Sequence, residues 1–212
     1  MTQQISMEAF LDALATASPT PGGGSVAALV GATSAGLVSM VCRLTLPKTE
    51  DGDLMERLNL VDERADELRV LLTSLVDRDA RSYDAVIAAY RLPKDTEMLK
   101  KKRREAIQGA LKVAASVPAE TAQAALEVLA LAHEIARDSS RNAISDVAVA
   151  AHMGLASLAS AWVNVQINLG SIHDKAFASE LAAQATSDQE RAKELHKNTV
   201  QVVDSILGAD NS

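Results

Sequence analysis

An aspartate stands in this chain where a leucine is expected. Leu54, Leu58, Val61, Ala65, Leu68, Leu72 and Leu75 follow one another at alternating steps of 4 and 3. That spacing makes one apolar seam along a long helix. The next step lands on Asp79, and Tyr83, Val86 and Tyr90 continue the line. A carboxylate on such a seam is costly to bury unless it is paired or protonated. Desolvation also raises its proton affinity toward the range in which a group both takes and returns protons. Two plainer readings stand beside this one. The bundle ends there and Asp79 faces water, or the carboxylate makes a structural hydrogen bond to a helix end.

A second constellation lies downstream. Asp146, Ala150, Met153, Ser157, Ser160, Asn164 and Asn168 recur at steps of 3 and 4 and draw a polar stripe along an otherwise apolar helix. Amides and small hydroxyls suit a heterocycle rich in donors and acceptors. They suit hydrogen bonds between packed helices equally well. Asp146 also stands where an aspartate caps a helix. The third feature is Gly22-Gly23-Gly24-Ser25, at the start of an uncharged run that reaches Cys42. Glycines entering a helix N-terminus can offer backbone N–H groups and the positive end of the helix dipole to a ligand. This stretch lacks the Lys-Ser/Thr of a phosphate loop and follows a helix, so neither nucleotide fingerprint applies. Read alone, it is a helix start after a flexible segment. His133, His152, His173 and His196 have no metal-ligand spacing, and Cys42 lies in an apolar stretch. No metal and no covalent nucleophile are expected.

Helices must position these groups. Of the 212 residues 48% are hydrophobic but only 2% aromatic, so alanine, leucine and valine carry the core, a composition that favours helix over strand. Ser6 caps a short helix over 6–17, and a second runs from Ser25 to about Leu46. The seam helix covers 53–91. Asp95 or Thr96 opens the next, which Pro118 kinks or restarts before it ends near Asp138. A helix over 146–169 and a last one from Asp174 to about Leu207 complete an all-α, multihelical bundle, a single domain over 1–212. Its small-residue helices, 25–46 and 146–169, are expected at the buried centre. The charge-free runs 13–42 and 147–173, which make up most of them, are long enough to span a membrane, yet their Ala, Gly, Ser and Thr content, with His152 and Asn164, favours the centre of a soluble bundle. The net charge of -7 argues against nucleic acid. The basic run from Lys100 to Arg104 is a solvated face or an attraction for an acidic ligand tail. The segment MTQQISMEAF has no basic stretch followed by an apolar one, so no secretory leader is expected. One cysteine permits no internal disulfide and fits a cytoplasmic protein.

Assembled, these residues resemble the formiminotransferase-cyclodeaminase C-terminal family over nearly the whole chain. The most specific piece is PTPGGGSVAAL followed by LVSMVCRLT. DARSYDAVIAAYRLPKDT, VPAETA, NAISDVAVAA and NVQINLGSIHDKAF match in the same order. The family includes stand-alone methenyltetrahydrofolate cyclohydrolases of about this length. The resemblance implies an all-α homodimer, a tetrahydrofolate substrate and no cofactor. Two reactions belong to the family. One hydrolyses the methenyl bridge to 10-formyltetrahydrofolate. The other closes 5-formiminotetrahydrofolate to the methenyl compound and releases ammonia. Both pass through a tetrahedral carbon joined to N5 and N10. On this resemblance Asp79 moves the proton, and Asp146 is the second catalytic carboxylate. Asp146, Asn164 and Asn168 hold the pterin, while Gly22, Gly23, Gly24 and Ser25 form a substrate-binding wall. Lys48 or the basic run draws the glutamate tail. Leu46-Pro47-Lys48 departs from the family pattern, which reads Gly-Lys with an aromatic residue soon after. The lack of an attached formiminotransferase domain favours the cyclohydrolase, with the cyclodeaminase as alternative. The contrasting expectation is a non-catalytic helical protein that dimerises through its small-residue helices. An enzyme requires Asp79, the stripe and the glycines to converge.

Overall fold

Four of the six described helices start where a nearby side chain accepts from their free N–H groups. The computed structural model describes residues 6–208; residues 1–5 and 209–212, which include the start of the MTQQISMEAF segment and both ends of the expected domain, lie outside the described residues. Among the described residues there are six α-helices and no strand: α1 (Met7–Leu14), α2 (Gly23–Thr45), α3 (Gly52–Tyr90), α4 (Glu97–Ile135), α5 (Ile144–Leu169) and α6 (Lys175–Gly208). Side chains of Ser6, Asp51 and Thr96 cap α1, α3 and α4, and Asp174 accepts from the Phe177 N–H at the start of α6.

α1 ends at Leu14, short of the expected 17, and α4 at Ile135, short of Asp138; three further differences bear on the site. α2 begins two residues early, so Gly23 and Gly24 belong to its first turn rather than to a loop. α4 continues through Pro118 as one helix. Asp146 does not cap α5: the N-cap position is Ala143, and Asp146 lies within the first turn.

α2 packs against α3, α4 and α5. The Ser157 hydroxyl donates to the Ala27 carbonyl and the Ser34 hydroxyl to the Ala150 carbonyl, each at 2.7 Å. These two bonds run α2 and α5 antiparallel at close range. Small residues make the approach possible. A Cβ on Gly31 would lie 2.7 Å from Ser157 Oγ and 3.0 Å from Leu72 Cδ2, and one on Gly154 would lie 2.9 Å from Leu129 Cγ. The α3 seam from Leu58 to Leu75 is buried against this centre, while Leu54 at its start is only partly covered. Salt bridges Arg57–Asp138 and Arg64–Glu127 set α4 antiparallel to α3. Cys42 is buried, and its thiol is pushed up to about 12, first by burial and then by the Asp62 carboxylate. It is a core residue. α2 and α5 are long and apolar enough to cross a membrane by length and composition alone; α2 is the more buried of the two, while α5 packs on α2 and α4 and, against the expectation of a buried centre, keeps Val149, Val163 and Ile167 exposed.

Candidate active site

The seam of α3 meets the first turn of α2 at Asp79. Ser25, the third residue of α2, is fully buried, and its hydroxyl lies 3.0 Å from Asp79 Oδ2 and 3.0 Å from the Val76 carbonyl oxygen. The Ser25 backbone N–H also favours the ionised Asp79 carboxylate. The N-cap residue of α2 is Gly22, which has no side chain to offer. Asp79 therefore caps α2 from another helix, with its negative charge at the positive end of the dipole.

Gly24 makes this contact possible. All three atoms of the Asp79 carboxylate group would lie under 3.0 Å from a Cβ at position 24. No described glycine has a positive φ, so backbone conformation does not require glycine here. Inside a helix alanine is favoured over glycine by about 1 kcal/mol. The glycine is retained because the carboxylate occupies the space a side chain would fill.

Burial pushes the Asp79 carboxyl above the ordinary carboxylate range, and the hydroxyl and N–H of Ser25 pull it part of the way back. The neighbouring Arg78 is engaged elsewhere, in a two-pronged pair with Glu120 of α4 at 2.9 and 2.6 Å. The arrangement leaves Asp79 as a partly desolvated carboxylate whose charge is met by the hydroxyl and backbone N–H of Ser25 rather than by a cation. Such a group suits proton transfer.

α5 reaches the same place. A Cβ on Gly23 would stand 3.4 Å from Asn164 Nδ2 and 3.5 Å from its Oδ1, at ordinary contact. The glycines, Ser25, Asp79 and Asn164 thus come together at one end of α2. Asn168, one turn further, has a different use. Its Nδ2 donates to the Ala114 carbonyl at 3.1 Å and to the Asn164 carbonyl at 2.9 Å. Ala114 is four residues before Pro118, so its carbonyl is the one left without a helical donor by the missing proline N–H. Asn168 supplies that donor from α5, which lets α4 pass through Pro118 unbroken. Asn168→Ala should lower stability by about 1–3 kcal/mol, the range for a buried group left unpaired. Pro118→Ala, which restores the N–H, should remove most of that loss. Denaturant unfolding of the two single variants and the double variant checks this; equal losses with and without Pro118 would reject it.

Two expected site residues lie elsewhere. Lys48 is 24 residues along from Gly24, about 36 Å at helical rise, and its ammonium donates to the Ser140 hydroxyl at 2.6 Å. Asp146 lies 18 residues up α5 from Asn164, about 27 Å away. Within one chain neither reaches Asp79. Ser25 also departs from its expected role, because a fully enclosed hydroxyl facing Asp79 and Val76 reaches a substrate only through Asp79.

The sequence reading missed pairings between helices. The Ser25–Asp79 bond spans 54 residues, and His196 Nε2 sits 2.7 Å from His152 Nδ1 across α5 and α6. Periodicity on one helix carries no signal for what stands opposite. A cavity of about 330 Å³, lined by Tyr90, Arg104, Ile107, Gln108, Ser171 and His173, opens beside the C-terminal end of α3. Tyr90 is three turns beyond Asp79 on the same face, about 17 Å along. Of the basic run, Arg103 donates to the Tyr90 carbonyl, and Lys100 and Lys101 pair with Glu97 and Glu105. Among the described residues no group of three or more His, Cys, Asp or Glu side chains could hold a metal ion.

Comparison with known proteins agrees with this architecture. Residues 6–187 match the model of the formiminotransferase-cyclodeaminase family. The chain is 42% identical over 207 residues to the methenyltetrahydrofolate cyclohydrolase of Methylorubrum extorquens, a match covering 94% of this chain and 100% of that protein. It is 33% identical over 188 residues to the formimidoyltransferase-cyclodeaminase of Rattus norvegicus, covering 89% of this chain and 35% of that longer protein. The crystal structure of formiminotetrahydrofolate cyclodeaminase from Thermotoga maritima superposes with a TM-score of 0.87 at 27% identity, over 98% of this chain and all of that one.

Proposed function

The chain belongs to the formiminotransferase-cyclodeaminase family, and from that premise we propose that it is a cytoplasmic methenyltetrahydrofolate cyclohydrolase. The observation that carries the reading is the meeting of Gly23, Gly24, Ser25, Asp79 and Asn164 at one end of α2. The near-complete match to a cyclohydrolase supports this reaction over the deamination.

The substrate's N5–C–N10 bridge is a cationic amidine, already electrophilic at carbon, so water addition calls for a base and no metal or other cofactor. Asp79 takes a proton from the attacking water as the C–O bond forms and the positive charge is quenched. It then returns that proton to N5 as the N5–C bond breaks. The remaining hydroxyl proton goes to solvent and the carbonyl of the 10-formyl group forms, so one proton is released overall. A carboxylate held above its ordinary proton affinity is suited to both transfers. Asn164 lies against the glycine turn, placed for the pterin edge. The Tyr90–Arg104 cavity, on the same face of α3, offers a cation and a ring to the benzoyl-glutamate end.

Deamination is the second reading, favoured by the superposition on the Thermotoga maritima cyclodeaminase. With the formimino group entering as its protonated amidinium, the same carboxylate would take the proton from N10 as it attacks and give it to the amino group, which departs as ammonia and leaves the cationic methenyl bridge. A spectrophotometric assay separates the two. Loss of methenyltetrahydrofolate absorbance on adding the protein supports hydrolysis. Ammonia release from the formimino substrate, with no effect on the methenyl compound beyond the uncatalysed rate, would replace hydrolysis by deamination.

A homodimer is part of the same proposal. Met40 and Leu44 on α2 and Val149, Val163 and Ile167 on α5 are exposed, Ile167 by 78% and Val163 by 64%. No charged residue occurs from 147 to 173. An apolar face of this kind calls for a partner, and isologous pairing of two copies covers it. Light scattering should give twice the chain mass, and Ile167→Glu should shift it toward the monomer. A wild-type monomer at micromolar concentration would refute the pairing.

A further inference from the structure

The Ser25 hydroxyl has one proton and two acceptors. Asp79 Oδ2 and the Val76 carbonyl oxygen both stand at 3.0 Å from its oxygen. The side chain is completely enclosed, so no bulk water competes for either position. We propose that Ser25 is a positioning residue for the reaction, and that rotation of its hydroxyl carries Asp79 through the gain and loss of a proton. The proposal rests on the reading of Asp79 as the proton-moving group.

Two arrangements share one set of heavy-atom positions. With Asp79 ionised, the Ser25 O–H donates to Oδ2. When Oδ2 takes a proton from water, the Ser25 O–H turns about the Cβ–Oγ bond and donates to the Val76 carbonyl. Oδ2–H then donates to the vacated lone pair on Ser25 Oγ. No proton leaves Ser25, and both states are fully hydrogen-bonded. A hydroxyl can do this because it donates and accepts at once. The backbone N–H of Ser25 can only donate, so it favours the ionised state alone. A preorganised group that need not move its heavy atoms lowers the cost of charge change at the reacting centre.

The charged groups around Asp79 leave this task to Ser25. On α3, Asp77 and Arg81 pair with each other, and Arg78 is held by Glu120 of α4. α2 carries no charge from Ser25 to Cys42, and the chain carries none from 147 to 173 in α5. Burial and Ser25 are the causes of the Asp79 shift, with no coulombic partner among them.

Ser25→Ala tests the inference, with kcat and KM for methenyltetrahydrofolate measured across pH and folding checked by CD. The hydroxyl is a hydrogen bond to a charged group, so kcat near neutral pH should fall about tenfold or more. KM should change little, because the side chain does not reach substrate. The acid limb of the kcat profile should move to higher pH, since Asp79 loses a donor that favours its ionised form. Ser25→Thr, which keeps the hydroxyl, should restore both. If Ser25→Ala does not fold, Ser25→Cys fills the site with a weak donor and should show the same shift of the acid limb. An unmoved acid limb, or a rise in KM alone, overturns the proposal. Should Asp79→Asn retain full turnover, the Asp79 reading itself falls. Should Asp79→Asn be inactive while Ser25→Ala keeps the wild-type limb, only the role of Ser25 falls.

Discussion

Asp79→Asn should lower turnover by about 10²-fold or more, the usual contribution of a general acid-base group, while the helical CD spectrum is preserved. The amide keeps the shape of the carboxylate, and its oxygen can still accept from the Ser25 N–H, so the cap on α2 survives. What is lost is a group that can hold a proton. The same variant should be at least as stable as the parent at neutral pH. Burial raises the folded-state proton affinity of Asp79 above that of the unfolded chain. Stability from such a group is complete below its unfolded pKa and is lost as pH rises through the folded value. At neutral pH ionised Asp79 is therefore a cost to the fold, and a neutral amide removes it. Thermal unfolding at neutral and mildly acidic pH measures this. The parent should gain relative to Asp79→Asn as pH falls toward the carboxylate range. Wild-type turnover in the variant would take Asp79 out of the mechanism.

Gly24→Ala should be the more damaging single change to structure. Its Cβ would fall inside contact distance of Oδ1, Cγ and Oδ2 of Asp79 together. Either α2 moves away from α3 or Asp79 leaves its place, and overpacking of this kind costs about 1–3 kcal/mol. Activity should be lost with it, because the carboxylate and the helix end can no longer meet. The double variant Gly24→Ala/Asp79→Ala distinguishes this from a generic helix effect. Removing the carboxylate should restore the stability, since alanine is otherwise the better helix residue, and the protein should remain inactive. A stable and active Gly24→Ala protein would refute the contact.

The α3 seam could be read from the sequence because burial along one helix repeats with the turn of that helix, and every leucine named in it from Leu58 onward is in the core. Asp79 stood out as the break in that pattern. Its partner did not, because which turn of α2 faces residue 79 depends on packing between helices 54 residues apart in sequence. The glycine run was legible as a helix start that could face a ligand, but not what the glycines make room for. The intruding group is a side chain of the protein itself. Asn168 shows the same limit from the other side. Its stripe leaves open a ligand contact or a hydrogen bond between packed helices, and only the structure names the partner, the carbonyl left bare by Pro118 on α4. Lys48 and Asp146 fell on recognisable motifs, yet helical rise alone carries both far from Asp79 within one chain.

One consequence of the Asp79 cap concerns how the reaction could be watched. Ser25, whose hydroxyl meets the Asp79 carboxylate and whose N–H favours its ionised form, lies in the first turn of α2 and is fully buried. Its magnetic environment changes when the carboxylate gains a proton, because the acceptor loses its charge. The Ser25 amide is thus a spectroscopic probe already built into the backbone. An isotope-labelled sample titrated without substrate would report the protonation of Asp79 from that single resonance, with no label added at the site.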